Sequence, residues 1–172
     1  LVHRREVQAL LAAGRVIVDH IPATQGDQLI NAFSQIAIDG KALQSRQPRY
    51  FMLNKPKGLL SATRDEQQET IMSLLPALER EGLHLAGRLD KNSTGLMLLS
   101  DDSRWTRVGM NPQAKVEKRY LVELRDPIDT PCIEAFAQGI YFEHERIWTQ
   151  PAQLELLAPC VARVTLCEGR YH

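Results

Sequence analysis

Apolar and polar positions divide the chain into short elements of two kinds. Residues 3–13, HRREVQALLAA, put Val7, Leu10 and Leu11 on one face of a helix, with Gly14 as its stop. Apolar runs at 15–19 and 35–38 predict short strands, the second closed by an Asp39-Gly40 turn. No clear pattern emerges from 20–31, and 42–49 is polar and reads as a linker. Tyr50–Leu53 predicts a strand stopped by Asn54-Lys55-Pro56-Lys57-Gly58. Between 69 and 78, Ile71, Leu74, Leu75 and Leu78 recur at helical spacing, with Pro76 as an interruption.

The stretch 84–102, HLAGRLDKNSTGLMLLSDD, organises the rest. Leu83, Leu85 and Leu89 flank Ala86-Gly87 and predict a short buried strand. Lys91-Asn92-Ser93-Thr94-Gly95 reads as a tight loop. Leu96-Met97-Leu98-Leu99 is a run suited to a strand buried on both faces. Farther on, 102–110 predicts a helix stopped by Asn111-Pro112. Residues 118–124 alternate as a strand, and Pro131 opens a helix that ends at Gly139. Runs at 152–157 and 161–166 complete the set. Strands mixed with helices, without regular βα alternation, predict an α+β fold with a mixed, mostly antiparallel sheet.

Composition narrows the options. The 172 residues are 44% hydrophobic and 24% charged, with 21 basic and 21 acidic side chains and no net charge. Any contact with a polyanion must therefore come from a local patch. Three cysteines at 132, 160 and 167 lack metal-type spacing and fit a reduced, cytoplasmic protein. The sequence contains no run of membrane-spanning length, and its start lacks the layout of a signal peptide. It opens inside a helical pattern and stops just after an apparent strand, so both ends read as cut.

Arg88 and Asp90 flank Leu89 where a strand meets a polar loop, a position from which rigid scaffolds present chemistry. By themselves, Asp90 fits a turn or capping role better than a catalytic one, Arg88 a surface ion pair, and Tyr120 a strand aromatic in the core. Arg4, Arg5 and Arg15 suit either a solvated helix end or phosphate contacts. Lys118 is either an exposed strand residue or a phosphate contact. Competing chemistries lack their parts. Asp101 and Asp102 are adjacent, where a glycosidase needs facing carboxylates. Residues 87–95 hold no phosphate-loop order, and the five histidines are scattered.

The order Gly87-Arg88-Leu89-Asp90, three variable residues, then Thr94-Gly95-Leu96 resembles the central motif of the pseudouridine synthases that modify single uridines in ribosomal RNA. Asn54-Lys55-Pro56-Lys57-Gly58, Glu117-Lys118-Arg119-Tyr120 and the closing Glu168-Gly169-Arg170-Tyr171-His172 follow in that family's order. The closing form is most like the small-subunit (16S) rRNA enzymes. This resemblance implies a catalytic domain over 47–172, built on a sheet with the cleft across its middle. It implies that no cofactor or metal is needed and that ribosomal RNA is the partner of a monomer. Asp90 would act at the ribose, as nucleophile or as base. Tyr120 would lie against the uracil, Arg88 would fill the space left by the flipped base, and Lys118 would contact RNA. The 54–58 segment would be a structural turn near the RNA path, without chemistry of its own.

A weaker resemblance covers residues 1–46. The helix, Ala13-Gly14-Arg15-Val16, strand and Asp39-Gly40 turn are similar to the alpha-L RNA-binding motif, whose first helix is missing here. It implies phosphate contacts from Arg4, Arg5 and Arg15. In the pseudouridine synthases the closing strand leads to a basic residue that pairs with the catalytic Asp. The chain stops before that position, so the domain is expected to be incomplete at its C-terminal end and low in activity.

Overall fold

The structure, a computed structural model, describes residues 4–169. The chain divides into two compact units, Leu1–Arg49 and Tyr50–His172.

In the first unit, helix α1 (Arg4–Ala12) precedes four strands: β1 (Val16–Val18), β2 (Ile21–Pro22), β3 (Ile36–Ile38) and β4 (Lys41–Gln44). They form an antiparallel sheet in the order β2-β1-β3-β4. Two-residue turns join β1 to β2 and β3 to β4. Asp19 and His20 have φ of 49° and 71°, and Asp39 and Gly40 have 51° and 73°. Left-handed residues at both turn positions match the twist of the flanking strands, and Asp-Gly is the sequence form best suited to this. Leu11, Val16, Val18 and Ala23 make the core, with Leu10, Ile36 and Ile38 packed on it. The expected linker therefore starts later than its composition suggests. Residues 41–44 are a strand, because the Asp39-Gly40 turn returns the chain against β3, and the Gln44 amide donates to the carbonyls of Asn31 and Ser34.

The second unit holds two three-stranded antiparallel sheets. One joins β5 (Tyr50–Lys55), β6 (His84–Leu85) and β7 (Gly95–Ser100) in the order β5-β7-β6. After it come α2 (Ser103–Met110), β8 (Lys118–Glu123), α3 (Thr130–Gln138), the hairpin β9 (Tyr141–Phe142) and β10 (Ile147–Trp148), β11 (Gln153–Ala158) and β12 (Val161–Leu166). The second sheet runs β11-β12-β8. The expected α+β class with antiparallel pairing holds, divided among separate sheets. Side-chain oxygens start both helices: Asp102 accepts from the Arg104 and Trp105 amides, and Asp129 from the Cys132 amide.

Ile71, Met72, Leu75, Leu83, Met97 and Leu99 form the core of this unit, with Phe51, Leu53 and Leu89 against it. Two expectations are corrected here. Residues 69–78 are not one helix but two 3-10 turns, Ile71–Leu74 and Ala77–Glu79. Pro76 bars the residue before it from helical geometry, and Leu75 is extended at φ −103°, ψ 150°. Nor is β7 buried on both faces. Met97 and Leu99 are buried, but Leu96 is 60% exposed, as on an antiparallel sheet with one covered face. The hairpin β9–β10 is too short and too polar in its loop to show in the sequence pattern.

Candidate active site

Residues 88–94 form a loop between β6 and β7, bracketed by Gly87 and Gly95 at φ of +123° and +129°. At such angles a side chain would strain the backbone, which is why glycine stands at both ends. Between them, most carbonyls are held by hydrogen bonds within the unit. The Ser61 hydroxyl accepts from the Leu89 amide at 3.0 Å and donates to the Leu89 carbonyl. Asp90 accepts through its carbonyl from the Ser93 amide at 3.0 Å. The Gly58 amide, in the turn after β5, donates to the Lys91 carbonyl at 2.8 Å.

Lys55 completes this anchoring. Phe51, Leu53 and Lys55 share the inward parity of β5, while Tyr50, Met52 and Asn54 face out. The Lys55 side chain is accordingly wholly buried. Its ammonium lies 3.0 Å from the Asp90 carbonyl, 3.1 Å from that of Lys91, 2.8 Å from that of Ser93 and 3.2 Å from that of Pro56. Three N–H donors serve four carbonyls, so at least one is shared. Burial pushes the Lys55 pKa down, and the nearby Asp90 charge opposes that shift. Lys55 thus faces the interior of the loop, as suits a segment expected to be a structural turn, and offers nothing to a phosphate.

Asp90 itself is exposed. Tyr120, on β8 opposite Val164, is half-buried. Burial and, second, the negative charge of Asp90 raise the Tyr120 pKa, so the phenol keeps its proton at neutral pH. Lys55, Asp90 and Tyr120 therefore form one electrostatic group drawn from β5, the 88–94 loop and β8. Lys118 lies two residues before Tyr120, on the same partly covered side of β8. Arg88 is exposed and lines an open cleft beside β6 and α2.

The other expected contacts lie in the first unit. Arg4 and Arg5 are exposed at the start of α1. Arg15 forms a two-pronged ion pair with Asp39, Nε donating to Oδ1 at 2.7 Å and the second prong from a terminal nitrogen to Oδ2. Hydrogen bonding raises the Arg15 pKa and lowers that of Asp39. Arg170, Tyr171 and His172 of the closing motif lie outside the described residues. Sequence reasoning does not single out Lys55 or Ser61 as site residues. The inward parity of β5 is the available signal for Lys55; nothing local distinguishes Ser61.

The site therefore presents an exposed carboxylate on an anchored loop, within electrostatic reach of a protonated tyrosine. Comparisons with known proteins identify the family. The family described as RNA pseudouridylate synthase matches residues 49–172. A ribosomal small subunit pseudouridine synthase A of Pseudomonas aeruginosa is 46% identical over 170 residues, covering 98% of this chain and 74% of that protein. The Escherichia coli K12 protein of the same name is 40% identical over 167 residues, covering 93% of this chain and 72% of its own length. A crystal structure of a pseudouridylate synthase superimposes with a TM-score of 0.70 at 33% identity, covering 99% of this chain and 74% of that one. The chain belongs to the RNA pseudouridylate synthase family.

Proposed function

We propose that this chain converts a uridine of small-subunit ribosomal RNA to pseudouridine, with Asp90 acting at the ribose. The reaction is an isomerisation. The bond from C1′ to N1 breaks, the uracil turns, C1′ joins C5, the C5 proton leaves and N1 takes one up. Atoms and electrons balance without a redox partner. The observation that carries the reading is the exposed Asp90 carboxylate on a loop pinned by Lys55 and Ser61. A fixed negative charge stabilises the positive charge that develops at C1′ as the base departs.

Tyr120 lies within electrostatic reach of Asp90 and stays protonated. It serves as a stacking surface and a hydrogen-bond donor to the uracil, and relays the C5 proton rather than standing ready as a phenolate. Arg88 occupies the place of the flipped base, and Lys118 holds a phosphate. Residues 1–46 act as an RNA-binding module of the alpha-L kind, with Arg4, Arg5 and Arg15 toward the backbone. The protein works as a monomer in the cytoplasm, where its free cysteines at 132, 160 and 167 stay reduced.

Tritium release from rRNA carrying 5-tritiated uridine tests the proposal. Release from small-subunit transcripts, lost in Asp90→Asn with RNA binding retained, is the expected result. Turnover by Asp90→Asn within tenfold of the parent would overturn the assignment of Asp90. Turnover confined to large-subunit transcripts would overturn the substrate, and binding without any turnover would reduce the protein to an RNA-binding one.

A further inference from the structure

Beside the loop that carries Asp90 lies an open cleft of about 550 Å³. That volume falls within the roughly 300–1,000 Å³ of pockets that take small organic ligands. Three segments wall it: Ser61 and Thr63 from the chain after the 54–58 turn, 84–88 from β6 onward, and α2. Leu85 and Met110 supply apolar lining, whereas the guanidinium groups of Arg88 and Arg107, the His84 imidazole and the Thr63 hydroxyl supply donors. Among the described residues, no acidic side chain lines it.

Two features make the donors available. Arg107 spends only Nε inside its helix, on the Ser103 carbonyl at 3.1 Å, which leaves both terminal amino groups to face a ligand. The acidic residue that caps α2, Asp102, has its carboxylate turned to the Arg104 and Trp105 amides. Leu89 sits between the cleft residue Arg88 and Asp90, its backbone clamped by Ser61, which itself lines the cleft. Cleft and loop thus share the Ser61–Leu89 anchor.

We propose that this cleft binds a nucleotide of the substrate RNA adjacent to the target uridine, its base on Leu85 and Met110 and its phosphate on Arg107 and His84. Apolar surface next to paired guanidinium donors is the chemistry that takes a nucleotide rather than a bare anion or an apolar metabolite. A strand that presents one ribose to Asp90 carries its neighbouring phosphates alongside, and Arg88, two residues before Asp90, lines the cleft. The inference rests on Asp90 marking the target ribose, and it adds the flanking site that sets which uridine reaches it.

Arg107→Ala, His84→Ala and the double variant test it on small-subunit rRNA transcripts, with KM, kcat and the salt dependence of binding measured together. The expected result for the double variant is a KM raised tenfold or more and a kcat changed less than threefold. The slope of log K against log salt should become shallower by about 0.7–0.9 for each phosphate that is no longer neutralised. Arg107→Lys should recover part of the KM. Thr63→Trp, which fills the cleft from an exposed position without touching the charges, should raise KM while leaving the salt slope near that of the parent. A double variant that folds, as judged by its unfolding midpoint, and keeps the parent KM and salt slope overturns the proposal. So does a Thr63→Trp variant with unchanged KM. Parent turnover and its loss in Asp90→Asn are scored separately, so failure of the cleft leaves the reading of Asp90 standing, and failure of that reading shows in the parent and Asp90→Asn rates alone.

Discussion

The buried ammonium of Lys55 lies 3.0 Å from the carbonyl oxygen of Asp90, and the same group reaches the Lys91 and Ser93 carbonyls at 3.1 and 2.8 Å. A cation without exposed surface is costly unless it is fully hydrogen-bonded, and here the hydrogen bonds set the shape of the loop. The side chain that presents the carboxylate is thereby separated from the group that fixes its backbone.

Replacing Lys55 by Met should uncouple the loop. Several carbonyls lose a charged donor at once, with an expected cost of about 3 kcal/mol. A displacement of Asp90 by about an ångström is enough to lower turnover about 100-fold. Lys55→Arg should not restore it, because a planar guanidinium cannot direct its donors at the same converging carbonyls. Urea unfolding with tritium release on the folded fraction checks both. A Lys55→Met protein of parental stability and turnover would remove the anchoring role.

Ser61 makes the complementary test. Its hydroxyl serves both the amide and the carbonyl of Leu89, so Ser61→Ala strands two backbone groups. The expected cost is about 1–3 kcal/mol, with a fall in kcat larger than any change in KM. Ser61→Thr keeps the hydroxyl and should retain most of the rate. Equal kcat for the alanine variant and the parent would show that the Lys55 hydrogen bonds alone hold the loop.

Much of this arrangement is legible in the residues alone. Gly95 closes the loop where expected and Asp39-Gly40 marks its turn, but the strand expected through Ala86-Gly87 to Leu89 ends at Leu85, because Gly87 at φ +123° turns the chain into the loop. Phe51, Leu53 and Lys55 share one parity, yet a lysine next to a proline turn reads as exposed unless its partners are known. Those partners include backbone carbonyls far along the chain, at Asp90, Lys91 and Ser93, which leave no mark on side-chain pattern. Pro76 is visible as an interruption, but the apolar spacing of Ile71, Leu74, Leu75 and Leu78 points the other way, and the proline decides the structure. The exposure of Leu96 is hidden because an apolar run carries no information on which face is covered.

In the first unit, the Arg15–Asp39 pair bears on the proposed RNA contacts. A guanidinium held in two prongs by a carboxylate is partly neutralised. Asp39→Asn should release it, strengthening RNA binding and steepening the salt dependence by up to about one phosphate's worth of slope. Arg15→Ala should weaken binding in either background. Fluorescence anisotropy on small-subunit rRNA fragments at several salt concentrations measures both. Identical affinities for the parent, Asp39→Asn and Arg15→Ala would exclude Arg15 from the interface.

Tyr120 and Lys55 give opposite signatures in alkali. Burial first and the Asp90 charge second raise the Tyr120 pKa in the folded protein above its ordinary value near 10. The unfolded chain then releases that proton at lower pH than the native state does. The stability Tyr120 contributes is therefore fully present below pH 10 and is lost as pH rises through the folded value. Lys55 runs the other way, since burial lowers its pKa below 10.5 and the native state gives up its proton first. Stability from that source climbs as pH rises through the folded value toward 10.5. Tyr120→Phe should accordingly flatten the decline of the urea midpoint above about pH 10 while leaving the curve below about pH 9 parallel to that of the parent. Asp90→Asn should flatten it less, because Asp90 is the lesser of the two causes, and should also move the rise from Lys55 to lower pH by removing the charge that favours the ammonium. Midpoints taken in half-unit steps from about pH 8 to about pH 11 separate the two residues. Parallel curves for Tyr120→Phe and the parent throughout would show that the phenol does not titrate differently in the folded state. The electrostatic link between Tyr120 and Asp90 would then fall with it.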